Sequence, residues 1–186
     1  LIAFGITTVP ADKVVSPELK KAGNKLYLIK HNALANYMPN VEQLKANWTY
    51  TTNAIQSGKI CAAYALGFGG LAEAIAKMSF GNELAVDIQI AENELFDYNY
   101  GSIIVEATEN LTSNSASGLT SNSVAIQYIG TVLEGTHLII NNEHISREVL
   151  LKACCTPFEK IYPSAVEAQH KELMPEGVKP ILVPSL

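Results

Sequence analysis

Clustered positive charge is missing from this chain, and its absence excludes a nucleic-acid surface. Thirteen Lys and Arg are scattered among 18 Asp and Glu over 186 residues, for a net charge of −5. Cysteine is scarce. Cys61, Cys154 and Cys155 are an odd number, two of them adjacent, with no C-x-x-C pair. That excludes a disulfide-stapled scaffold and a zinc ribbon, and it predicts a reduced, cytoplasmic setting. Long apolar runs are missing too. Residues 60–72 are uncharged but number only 13 and include three glycines, and the uncharged stretch 110–133 opens with Ser, Thr and Asn. Neither matches the roughly 20 apolar residues of a spanning helix, so no membrane is expected as a partner. The start, Leu1-Ile2-Ala3-Phe4-Gly5, has neither an initiator Met nor a basic region before an apolar one. It reads as a cut into a longer polypeptide rather than a signal peptide. Without that signal, the sequons at Asn47 and Asn110 read as chance matches.

Charge is low overall, 17%, against 48% hydrophobic residues, which excludes a disordered chain. A chain this long buries roughly 70% of its unfolded surface, enough for one core without metal or disulfides. Residues 25–30 form an apolar run between turn signals, which predicts a strand. Val41, Leu44, Trp48, Thr52 and Ile55 recur at helical spacing, with Asn40 as N-cap, Gln43 reaching back to it and Gly58 as the stop. Residues 60–66 predict a buried strand, 71–80 a helix with Leu71, Ile75 and Met78 on one face, and 84–90 and 102–107 two further strands. The segment 108–123, 11 of whose 16 residues are Ser, Thr or Asn, predicts a loop. Residues 125–133 and 136–140 predict a hairpin about Glu134-Gly135. Ser146 opens a helix, and capping boxes at Thr156 and Ser164 predict two short ones. The sum is an α/β or α+β domain, helices covering a mixed β-sheet, over residues 1–174. Residues 175–186 read as a linker or the start of a further domain.

One feature carries chemistry. Gly67-Phe68-Gly69-Gly70 joins a strand to a helix, where main-chain N–H groups and the positive end of a helix dipole can meet a phosphate. A glycine turn that only lets a helix pack on its strand has the same appearance, and both readings stay open. The Walker Lys-Ser/Thr and the full G-x-G-x-x-G spacing are absent. Glu73 either faces this loop or is solvated, and Asn82 and Asn141 either orient a phosphate or make turns. Cys61 reads as core. His31, His137, His144 and His170 lack metal-ligand spacing, so no metal site is expected.

The segment Gly58-Lys59-Ile60-Cys61-Ala62-Ala63-Tyr64-Ala65-Leu66-Gly67-Phe68-Gly69-Gly70-Leu71-Ala72-Glu73-Ala74, with Lys77-Met78-Ser79-Phe80-Gly81-Asn82 after it, resembles the C-terminal domain of the AIR synthase superfamily. Within it the residues are most similar to the phosphoribosylformylglycinamidine synthase family, ATP- and glutamine-dependent amidoligases of purine synthesis. The resemblance extends over residues 14–163, with Val15-Ser16-Pro17-Glu18-Leu19-Lys20, Leu95-Phe96, Tyr100-Gly101 and Ile129-Gly130-Thr131-Val132 as further matches. It implies the superfamily fold and a nucleotide or phosphate site at Gly67, Gly69, Gly70, Leu71 and Asn82. It also implies ATP and magnesium in the full-length enzyme, with none held tightly by this part alone. The partners implied are a ribonucleotide substrate, an N-terminal domain completing the cleft, a glutaminase domain, and self-association where such a domain is lacking. Many members carry His-Asp before the glycines, where this chain has Tyr64 and Ala65, which puts magnesium binding from this strand in doubt. A non-catalytic scaffolding copy of the domain, or another ATP-using member of the superfamily, is the alternative expectation.

Overall fold

A computed structural model describes residues 4–112 and 124–163. The chain divides into two compact units, Leu1–Leu151 and Lys152–Leu186. Among the described residues, the first holds one seven-stranded mixed sheet and three α-helices, and a fourth helix spans the division. In chain order the elements are β1 (Lys25–Lys30), α1 (Val41–Gln56), β2 (Ile60–Ala65), α2 (Gly70–Phe80), β3 (Leu84–Ile88), α3 (Glu92–Leu95), β4 (Ile103–Ala107), β5 (Ala125–Glu134), β6 (His137–Ile140), β7 (Glu143–Ser146) and α4 (Arg147–Cys155). The spatial order is β2-β4-β1-β5-β3-β6-β7. All pairings are antiparallel except β3 with β6.

The period of two along β1 explains the layers. Leu26 and Leu28 point to one face and join Leu71, Ala74, Ile75 and Met78 of α2; Tyr27 and Ile29 point to the other and join Ala54 of α1. Each large α2 side chain taken fully out of water contributes about 2 kcal/mol. Within the first face lies a buried carboxylate. Glu106 of β4 is fully buried and accepts from the N–H groups of Lys20 (2.7 Å) and Lys21 (3.0 Å) and from the Asn24 side-chain amide (2.6 Å). Those three donors tie the segment before β1 to the sheet, which is what a charge needs in order to be tolerated inside.

Several expectations are corrected. The hairpin about Glu134-Gly135 does not form, because β3 lies between β5 and β6, antiparallel to the first and parallel to the second. The true hairpin there is β6–β7, turned by Asn141 and Asn142, both in the left-handed region (φ 50° and 71°), where asparagine is tolerated. The buried stripe of α1 is Gln43, Asn47, Thr51 and Ala54, one residue out of phase with the apolar stripe read from the sequence; Val41 and Trp48 are exposed. The reason is polar. Gln43 Oε1 accepts from the Asn32 N–H at 2.7 Å, and Asn47 Nδ2 donates to the Lys30 carbonyl at 3.1 Å, so the helix satisfies the backbone where β1 ends. Gln43 thus does not reach back to its cap, although Asn40 Oδ1 does accept from the Gln43 N–H at 3.2 Å. Burial of Asn47 also excludes that sequon from glycosylation in the folded chain. Within the second unit, residues 156–162 make turns instead of a capped helix, and Thr156 Oγ1 bonds back to the Lys152 carbonyl at 2.6 Å. The helix expected from Ser164, the tail 175–186 and loop residues 113–123 lie outside the described residues.

Candidate functional site

The glycine turn sits where the sequence puts it, between β2 and α2. Gly69 is the N-cap of α2 and offers no side chain. The Gly70 N–H donates to the Gly67 carbonyl at 3.1 Å, closing the turn. Gly70 has φ +63°, and a Cβ on it would stand 2.9 Å from the Leu95 carbonyl oxygen and 3.0 Å from that of Asp97. Glycine is required here by the torsion and by the backbone after α3 lying against it.

Glu73 is the main finding at this turn. One turn into α2, its Oε2 accepts from the Gly69 N–H at 2.8 Å, and its Oε1 pairs with Lys77 Nζ at 2.5 Å. The Lys77 ammonium, and after it the Gly69 N–H, hold the Glu73 carboxyl below the usual carboxylate range. The reciprocal effect raises the Lys77 ammonium. A carboxylate of the chain itself therefore sits against the helix start, where an anion is stabilised by the dipole. The N–H groups of Leu71 and Ala72 carry no hydrogen bond among the described residues. The Leu71 side chain points into the core, so only its main chain belongs to the site.

Aromatic rings wall the turn. Phe68, 75% exposed, lies 5.5 Å from Tyr98, and Tyr98 stacks on Tyr100 at 6.2 Å with an 8° angle between planes. The sequence reading missed this wall; its signal was the alternation Phe96-x-Tyr98-x-Tyr100 in a segment with turn residues.

Other candidates fall elsewhere. Asn82 lies past the far end of α2, where its Nδ2 donates to the Leu19 carbonyl at 2.7 Å. Beside it, a Cβ on Gly81 would stand 2.6 Å from the Glu18 Cβ. The Gly-Asn pair thus docks the segment before β1. Asn141 Oδ1 accepts from the Ile90 N–H at 2.9 Å and holds the chain beyond β3. Cys61 is half-buried in β2; burial first, then the Glu106 charge beside it, push its thiol up to about 11, which keeps it protonated and inert. His137 and His144 are exposed, and His170 lies outside the described residues.

Residues of this turn do not fit a magnesium ion. Tyr64 packs on the core and Ala65 bears no ligand, while Glu73 is committed to Gly69 and Lys77. Among the described residues no group of three or more His, Cys, Asp or Glu is placed to hold a metal. No helix among them is long and apolar enough to cross a membrane.

No family model matches the chain. Solved structures do. Phosphoribosylformylglycinamidine synthase II from Thermotoga maritima matches with TM-score 0.62 at 13% identity over 76% of this chain and 28% of that one. T. maritima PurL complexed with ATP matches with TM-score 0.55 at 12% identity, with the same coverage. Hydrogenase maturation protein HypE matches with TM-score 0.50 at 11% identity over 74% of this chain and 56% of that one. The chain thus spans little more than a quarter of the length of the synthases that it matches. At these identities the likeness is one of fold, and the fold of this chain is that of the AIR synthase-like domains.

Proposed function

We propose that these residues form one domain of an ATP-dependent carbon–nitrogen ligase of the phosphoribosylformylglycinamidine synthase type, and that the β2–α2 turn is one wall of its nucleotide and ribonucleotide cleft. The observation that carries this reading is the glycine turn opening α2, in a chain whose fold matches that synthase over 76% of its length. In such a ligase an amide oxygen takes a phosphoryl group from ATP, and ammonia then displaces phosphate. The work is positioning and charge stabilisation rather than attack by a protein nucleophile. On this chain the Leu71 and Ala72 N–H groups would hold phosphate oxygens, and Phe68 would flank them. A neighbouring domain would complete the cleft and cover the exposed rings, and a glutaminase domain would supply ammonia.

A second reading is a non-catalytic scaffolding copy of the same domain. What favours it is Glu73, whose carboxylate already occupies the position at Gly69 that a phosphate would take. Titration of inorganic phosphate, then ATP, into the wild-type chain and into Glu73→Gln separates the two. If the turn is a cleft wall, the amides of Gly69, Gly70 and Leu71 move first, and phosphate binds several-fold tighter to Glu73→Gln. Amides that stay still in both proteins exclude a phosphate role for the turn and leave the scaffold.

A further inference from the structure

We propose that His31 is a proton-operated latch joining the start of α1 to the aromatic loop at residues 96–101. The imidazole is 4% exposed and both its nitrogens are committed. Nδ1 lies 2.7 Å from the Tyr100 carbonyl oxygen, and Nε2 lies 3.0 Å from the Asn40 nitrogen. A carbonyl oxygen can only accept and a main-chain N–H can only donate. The ring is therefore neutral, with its proton on Nδ1 and a lone pair on Nε2. A second proton turns Nε2 into a donor aimed at another donor, and the bond to Asn40 breaks. The proton comes from solvent and returns to it; no other bond is made or lost.

The surroundings give the ring no freedom to turn away. The main-chain N–H of His31 donates to Ser102 Oγ at 2.9 Å. A Cβ on Gly101 would stand 2.9 Å from Nδ1 and 2.5 Å from the Leu44 side chain of α1, so loop, ring and helix are in direct contact. Charged side chains on the elements around the ring are Lys25 and Lys30 on β1, Glu42 and Lys45 on α1, Glu92 and Glu94 on α3, Glu106 on β4 and Asp97 in the loop. Lys30 pairs with Glu94, and Lys45 with Glu42. Among the described residues none of them hydrogen-bonds the imidazole, so no carboxylate compensates a charged ring. What the latch holds is the loop bearing Tyr98 and Tyr100, whose first carbonyls rest on Gly70. Protonation leaves the Nδ1–H bond to Tyr100 in place and parts ring and loop together from the start of α1. That shifts the aromatic wall of the β2–α2 turn, whatever that turn binds; the proposal does not rest on the nucleotide reading.

The test follows the histidine rings of the full chain by long-range ¹H–¹⁵N NMR from about pH 7.5 to about pH 5.5, where imidazoles take up a proton. At the upper end His31 should be the Nδ1–H tautomer. As it gains its second proton, the Asn40 amide should lose about fivefold in protection from hydrogen exchange, the scale of one hydrogen bond. The Tyr98 and Tyr100 ring signals should move with the same midpoint. His31→Gln cannot titrate yet keeps an acceptor for Asn40, and it should abolish that loss. An Nε2–H tautomer or a charged ring at the upper end overturns the latch. So does a ring that titrates without Asn40, or the same loss in His31→Gln. If that variant does not fold, the wild-type ring and Asn40 readings decide alone.

Discussion

Gly70 and Glu73 sit three residues apart and illustrate what a side chain, or its absence, can decide. Alanine at position 70 would place a methyl group against two carbonyl oxygens while keeping a left-handed torsion, at a cost of about 2–3 kcal/mol. Gly70→Ala should lower the urea midpoint accordingly, and an unchanged midpoint would mean that the backbone after α3 does not lie where it is described. Glu73 acts through charge. Its carboxyl is held low by Lys77 and the Gly69 N–H, so its contribution to stability is complete above the unfolded carboxylate range and is lost as pH falls through the depressed folded value. Glu73→Gln should cost about 0.5–1 kcal/mol at neutral pH. Unfolding curves of the two proteins should begin to converge as pH falls below roughly 4, near the unfolded value for Glu, and coincide only below the depressed folded value. The glycines could be read from the sequence because their chemistry is local. The posture of Glu73 could not, since a solvated helix position has the same spacing.

Helix α1 was legible in its extent and illegible in its facing. Asn40, the helical spacing and the Gly58 stop all hold, yet the side buried is the polar one. Spacing arguments look for apolar stripes, and here Gln43 and Asn47 are buried by the backbone groups of Asn32 and Lys30, which no pattern within the helix announces. The same limit explains the hairpin. Glu134-Gly135 carries turn chemistry, but a turn signal does not say whether a third strand enters between the two it joins. The Asn40 cap gives a direct test at this scale. Asn40→Ala should lower stability by about 1 kcal/mol in thermal unfolding, and Asn40→Ser should restore most of it, because the hydroxyl can take over the Gln43 N–H. Equal losses in both variants would mean that a side-chain oxygen at position 40 does not cap α1, because the Asn40 N–H that meets His31 is the same in each.

Taken whole, the first unit is a sheet with α1 on one side and α2 on the other, and the proposed cleft wall is the β2–α2 turn. A cleft needs a second wall. The purified 186-residue chain, given ATP, magnesium, ammonia and formylglycinamide ribonucleotide, should therefore release no phosphate above background; substrate-dependent turnover would mean that a complete site lies within these residues. Cys61 supplies a clock for the same fold. With its thiol near 11, only about one molecule in a thousand carries a thiolate at pH 8, and the sulfur is wedged between Asn24 and the Glu106 carbonyl. A thiol reagent should then modify exposed Cys154 within minutes while Cys61 waits for β2 to part from β4. Its labelling rate becomes a stopwatch for the opening of that sheet edge, readable by mass spectrometry with no engineered probe, and slowed by anything that clamps the turn at the end of β2.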